Sequence, residues 1–226
     1  MAISKKIVIF LSYFLMGGIL VIAIHPRLIV DGAALIFCYA FPTIVMAVLM
    51  MCEMNRQEDR ASAMKIRDSW LRHLLVLYCL LLVAVLFFYG HRSTTDIETV
   101  GIFSEKHFQT CNAVPFRTLT NYVSRLNEGS INFGTVIKNV GGNFVLFMPL
   151  GFFFCTLLKK KVKSWYVCML YTLMISFAVE VLQFVTFRGV TDIDDIILNC
   201  AGTVFSYLFF NSKLFGKMDF KQYFHS

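Results

Sequence analysis

The sequence predicts an all-α integral membrane protein with six transmembrane helices, and three observations carry that prediction. Of 226 residues, 58% are hydrophobic. Only 15% are charged, against about 25% in a soluble domain. The apolar residues gather into six runs of roughly bilayer-spanning length. A globule of this size has too little interior to hide so much apolar surface, which excludes a water-soluble fold. The 24 Phe and the scarcity of charge exclude disorder. Seven cysteines, an odd number without CxxC pairs, exclude a disulfide framework.

The runs are Ile7 to Ile24, Ala33 to Met51, Leu74 to Tyr89, Val140 to Leu158, Trp165 to Phe187 and Ile193 to Phe210. Hydrocarbon offers backbone amides no water, so each run must satisfy its own hydrogen bonds as a helix. At 1.5 Å rise, roughly 16 to 23 residues match a hydrocarbon layer of about 30 Å. The first run follows Lys5 and Lys6. It is longer than a signal-peptide core and lacks an Ala-x-Ala exit, so it reads as a retained anchor. The loop 91–138 is too long for a plain connection. Within it Leu119, Tyr122, Val123 and Leu126 fall at helical spacing, predicting a short amphipathic helix on the outer membrane face, with Pro115 breaking the chain ahead of it. The chain divides into an N-terminal transmembrane hairpin with its cytoplasmic loop (1–70), a membrane core (71–211) that includes loop 91–138, and a tail (212–226).

Basic residues set the orientation, because Lys and Arg resist translocation. One side holds Lys5, Lys6, Arg56, Arg60, Lys65, Arg67, Arg72, Lys159, Lys160, Lys161, Lys163, Lys213, Lys217 and Lys221. The other holds Arg27, Arg92, Lys106, Arg117, Arg125, Lys138 and Arg188, mostly in the long loop. Both termini are therefore expected in the cytoplasm. The net charge of +7 is chiefly this topology signal, and no basic stripe with interleaved aromatics supports nucleic-acid binding.

Ionisable groups inside a span cost about 2.5 to 3.5 kcal/mol on insertion scales, so a span that keeps one normally directs it at protein or at a wet cavity. In the fifth run Glu180 and Gln183 continue a stripe through Ser176 and Thr172, which must face inward. The sixth opens with Asp192, Asp194 and Asp195, and Asp195, Asn199, Gly202 and Ser206 form a second seam. In the fourth, Asn139 and Asn143 lie one turn apart above Phe147 and Gly151. Glu180 and Asn199 both fall about 9 to 10 Å below the outer end of their helices. Arg188 in the turn, with Arg92, His91 and Arg117 nearby, would cap a single polar pocket in the outer leaflet. These groups could merely lock helices together, at an average of about 0.6 kcal/mol per bond. Four carboxylates around one Arg, however, leave negative charge that asks for a cationic or proton-donating ligand.

The stretches NVGGNFVLFMPLGFFF and EVLQFVTFRGVTDIDDIILNCAG closely resemble the VanZ-like family of bacterial membrane proteins. The likeness rests on Asn143, Phe147, Pro149 and Gly151, then Glu180, Gln183, Arg188, Asp192, Asp195, Asn199 and Gly202. The segment VPFRTL, with Pro115, Phe116 and Arg117 as auxiliary site residues, looks like the family's Pro-Phe segment. The resemblance runs from about Leu71 to Phe210. Phe187 and Ser206 depart from it where the family often has Gly, and bear on how closely the last two helices approach. The resemblance implies a bacterial cytoplasmic membrane protein that lowers susceptibility to glycopeptide antibiotics of the lipid-tailed teicoplanin type, without altered peptidoglycan precursors.

Three functions compete. In the first, which the charge and depth favour, the pocket binds a lipid-linked cell-wall component or an amphiphilic antibiotic. Asn143 and Asn199 orient it by hydrogen bonds, Glu180, Asp192, Asp194 and Asp195 meet cationic or hydroxyl groups, Arg188 meets phosphate or carboxylate, and Gln183 also lines the ligand site. In the second, Glu180 and Asp195 are the catalytic acid–base candidates of a membrane hydrolase or transferase. That reading ranks lower, because no Ser/His/Asp order, HExxH or phosphate-cradling Gly loop is present. The third, an ion or proton carrier, lacks charged relay groups in the cytoplasmic half. No cofactor or metal is implied, and the oligomeric state is left open.

Overall fold

The computed structural model describes residues 2–24, 32–87, 111–186 and 191–212. Every regular element among them is helical. In chain order they are α1 (Ala2–Ile24), α2 (Gly32–Met54), α3 (Arg60–Phe87), α4 (Arg117–Asn127), α5 (Phe133–Val136), α6 (Gly142–Thr156), α7 (Trp165–Thr186) and α8 (Ile193–Asn211). A π-helical turn, Ile137–Gly141, joins α5 to α6. Among the described residues four helical stretches are long and apolar enough to cross a membrane: Arg60–Phe87, Phe133–Thr156, Trp165–Thr186 and Ile193–Asn211. The expectations for His91, Arg92, Arg188 and the tail from Lys213 lie outside the described residues.

Two boundaries differ from expectation. The segment between the second and third apolar runs, expected as a loop over 53–73, is non-helical only at 55–59: α2 runs on to Met54, and α3 begins at Arg60. Ala61, Ala63, Met64, Lys65 and Arg67 are good helix formers, so the helix continues past the apolar run into the charged segment. Asp59 starts it by accepting the backbone N–H of Ser62 at 2.9 Å. Hydrogen bonds from Ser62, its hydroxyl first and then its backbone, hold the Asp59 carboxyl below its ordinary pKa. A depressed folded pKa means the cap is fully present above the ordinary carboxylate range and lost as pH falls through the folded value. The protection of the Ser62 amide, its exchange measured against the intrinsic rate at each pH, should therefore fall on acidification, and Asp59→Ala should abolish that change in protection. The second difference is that the span containing Asn143 starts at Phe133 and passes through the π turn. Asn139, within that turn, is exposed and gives its amide to the Thr135 carbonyl at 2.7 Å. The extra residue per turn removes Asn139 from the seam on which Asn143 lies.

The chain forms two compact units, Met1–Arg92 and Ser93–Ser226. In the first, α1, α2 and α3 pack on one another around Met16, Met46, Trp70, Leu77 and Tyr78. The Trp70 indole donates to Glu53 at 2.8 Å, with Lys5 above its ring. Tyr13 is hydrogen-bonded to His73 Nδ1 at 2.8 Å.

In the second unit α8 is central, packing most extensively on α6 and then on α7. Two glycines set the α6–α8 distance. A Cβ on Gly202 would meet the Phe144 carbonyl group, its carbon at 2.8 Å. One on Gly151 would meet the Thr203 carbonyl oxygen and the Tyr207 amide nitrogen, the latter at 2.7 Å. The backbones therefore touch, as small residues allow in lipid, and the Thr203 hydroxyl reaches the Phe147 carbonyl at 3.2 Å. On α7 the buried residues are Cys168, Thr172, Ser176 and Glu180, four apart throughout, while Phe177, Leu182 and Val185 are exposed. The expected inward stripe is present. An apolar side chain gains nothing by leaving lipid, whereas a polar one must.

Candidate functional site

The polar residues meet where α7, α8 and the segment before α4 converge. Asn112 forms a short parallel bridge with the chain entering α8. Its N–H donates to Thr191 O at 2.8 Å, and its carbonyl accepts from Ile193 N–H at 3.0 Å. This pins the extended Asp192 (φ −136°, ψ 121°), the N-cap of α8, whose side chain accepts from Asp194 N–H at 2.9 Å. The Asn112 amide donates to the same carboxylate at 2.8 Å and the Thr118 hydroxyl to its other oxygen. The backbone N–H of Asp192 donates to Glu180 at 3.0 Å, and Glu180 is only 3% exposed.

Asp194 is fully buried and faces a different partner. One carboxylate oxygen accepts the Phe116 N–H, and the other accepts Thr118 N–H at 2.8 Å and Leu119 N–H at 3.2 Å. Phe116 is the N-cap position of α4, holds a left-handed φ of 63°, and offers no side-chain cap of its own. Asp194 therefore caps α4 from another helix. Phe residues rarely take that conformation, at a cost of order 1–3 kcal/mol, and the charge-assisted bonds offset it. Pro115, Phe116 and Arg117 themselves are exposed, so this segment enters the network through its backbone.

Asp195, half-buried in the first turn of α8, pairs with the Asn143 amide of α6. It also lies within electrostatic reach of Glu180. Gln183 is half-buried, one turn beyond Glu180. Asn199 and Ser176, each one turn deeper than the carboxyl on its own helix, are buried. The Asn199 Oδ1 and Ser176 Oγ have no hydrogen-bond partner among the described residues. Buried polar atoms normally find one in protein or water.

The structure thus brings together Asn143, Glu180, Asp192, Asp194 and Asp195 as one linked set, with Asn199 below. The negative charge of Asp192 and Asp194 is met by helix N-terminal amides and neutral donors, a compensation that counting acids against one Arg did not anticipate. Asn112 and Thr118 were missed. Asn112 sits in a loop with no periodicity, and only the likeness of the segment Val114 to Leu119 pointed near Thr118. Among the described residues no group of His, Cys, Asp and Glu is disposed to hold a metal.

Beside the network lies a cavity of about 310 Å³ between α7, the first turns of α8 and the segment Cys111–Ala113. Its walls include Phe177, Val181, Phe184 and Ile196, and Glu180 and Asn112 also line it. Phe177 and Val181 are 61% and 43% exposed on the outside of α7. At span depth their exposed surface faces the lipid side, and the volume falls at the small end of ligand sites. An apolar recess open sideways, which Glu180 lines almost wholly through apolar atoms, suits a hydrocarbon chain better than a polar solute.

No curated protein and no solved structure matches this chain. The family model described as VanZ/LLP1 matches residues 75–215, more than half of the chain and the whole of the network just described. The chain therefore belongs to the VanZ/LLP1 family.

Proposed function

We propose that this protein lowers bacterial susceptibility to glycopeptide antibiotics of the teicoplanin type by binding an amphiphile in the outer leaflet of the cytoplasmic membrane. The amphiphile is a lipid-linked cell-wall component or the lipid-tailed antibiotic itself. The observation that carries this reading is the apolar cavity lined in part by the buried Glu180. A hydrocarbon tail would enter past Phe177 and Val181, displacing lipid rather than water. The polar part would lie toward Asn143, Glu180, Gln183 and Asp195, with Arg188 placed by sequence to meet a phosphate or carboxylate. Asn199 and Ser176 have hydrogen-bonding capacity left for a hydroxyl or amide of the ligand. Asp192 and Asp194 then hold the site's shape, since their oxygens already serve backbone and side-chain donors. In this reading the chain spans the membrane six times with both termini cytoplasmic, residues 71–211 form the working core, 1–70 add a hairpin, and 212–226 form a tail.

Cells carrying the protein should tolerate teicoplanin more than vancomycin, because only the former carries a tail for the cavity. Glu180→Gln, which keeps shape and removes the ionisable carboxyl, and Val181→Trp, which fills the recess from the lipid side, should each abolish the protection. Susceptibility measured at matched membrane levels of each variant checks this. Unchanged protection in both variants would refute the pocket.

A further inference from the structure

The first unit carries a polar cluster of its own, where the start of α1 meets α3. Ser69, Arg72 and His73 stand three and four residues apart and share one face of α3. Lys5 Nζ donates to Ser69 Oγ at 3.2 Å and lies 4.7 Å from the centre of the Trp70 ring. Tyr13 is hydrogen-bonded to His73 Nδ1. Lys5 and Arg72 both lie within electrostatic reach of His73.

These contacts fix a depth. The apolar run of α1 begins at Ile7 and that of α3 at Leu74, so the cluster sits where both helices pass from charged to apolar sequence. Arg72 is exposed, and Val76, one turn further into the apolar run on the same side, is 48% exposed. The cluster therefore opens outward from its three-helix unit, with apolar surface directly beneath it.

The nearby acids are already engaged. Glu53 accepts the Trp70 indole at 2.8 Å, and Asp68 accepts from Arg67 at 3.0 and 2.8 Å. Even with Glu53 counted against Lys5, Arg72 has no ion pair among the described residues. When Tyr13 donates to Nδ1, the neutral His73 ring carries its proton on Nε2, which becomes a donor. Two cations and a neutral donor match a group that is anionic and accepts only, and a basic recess between helices at this depth is a headgroup-type site.

We infer that the start of α1 and the Ser69–His73 turn of α3 bind the headgroup phosphate of an anionic phospholipid. Arg72 and Lys5 supply charge, His73 Nε2 donates a hydrogen bond, and the lipid's chains lie along Val76.

Native mass spectrometry of the full-length protein in mild detergent, titrated with phosphatidylglycerol, phosphatidylcholine or inorganic phosphate, tests this. Phosphatidylglycerol should add a tightly held lipid that phosphatidylcholine at the same concentration does not, and inorganic phosphate should not displace it. Lys5→Gln with Arg72→Gln should weaken phosphatidylglycerol binding about 30-fold. Lys159→Gln with Lys160→Gln removes the same charge from exposed positions elsewhere and should leave binding unchanged. Equal binding of the two lipids, or equal loss in the two double variants, would overturn the site in favour of general charge attraction. Displacement by inorganic phosphate alone would overturn the lipid assignment in favour of a soluble anion. If the Lys5 variant fails to fold, Arg72→Gln alone should weaken binding about fivefold, and undiminished binding there would equally refute the site.

Discussion

Gly202→Ala is expected to be the most damaging single methyl group in the membrane core, costing about 3 kcal/mol or more, the upper end of overpacking. The added Cβ would overlap the Phe144 carbonyl group. Backbone cannot rotate aside as a side chain can, so α6 and α8 must separate. Separation also stretches the bond from Thr203 to the Phe147 carbonyl and pulls Asn143 away from Asp195, so ligand binding should fall along with stability. Gly151→Ala should behave alike, since its Cβ would meet backbone atoms of Thr203 and Tyr207. Gly142→Ala is the control: nothing lies within 4 Å of that position, and alanine there is expected to be neutral or stabilising by up to about 1 kcal/mol. Unfolding in mixed detergent, followed by circular dichroism, separates the three. Equal stability of Gly202→Ala and Gly142→Ala would contradict the close α6–α8 contact.

Asp194→Ala is expected to cost about 3 kcal/mol, because it strips one helix N-terminus of its cap and leaves three backbone donors without their acceptor. The loss should be local. Trypsin should cut at Arg117 and Arg125 as α4 frays, while α6, α7 and α8 stay protected by their mutual packing. Thr118→Val removes two hydroxyl bonds, the one it donates to Asp192 and the one it accepts from the Asn112 amide, and leaves the backbone bonds to Asp194, so it should cost about 1 to 2 kcal/mol and leave the tryptic pattern intact. Indistinguishable proteolysis of the Asp194→Ala and parent proteins would show that α4 is held by something other than this carboxylate.

The inward face of α7 was legible because it depends on one helix alone. Thr172, Ser176 and Glu180 recur at four-residue spacing, lipid cannot satisfy them, and no other arrangement hides all three. The amphipathic α4 was legible for a similar reason, since its period is local. The start of α3 was not legible from hydropathy, because a span can continue as helix into water once a cap and good helix formers allow it, as they do from Asp59 to Arg72.

The partners of the carboxylates were beyond the sequence for a different reason. Asp192, Asp194 and Asp195 look equivalent as a run of acids, yet backbone direction points them to Asn112 and Thr118, to the amides of α4, and to Asn143. The α4 amides that Asp194 meets lie about 75 residues away along the chain, the Thr118 amide at a separation of 76. Composition and hydrophobic period determine that this chain is helical and resides in a membrane, because each is a sum over local preferences. Which buried charge is occupied by the fold and which is left to line a cavity is decided only when distant segments meet, because a hydrogen bond forms within about 3 Å and counts for nothing at the distances a sequence can specify.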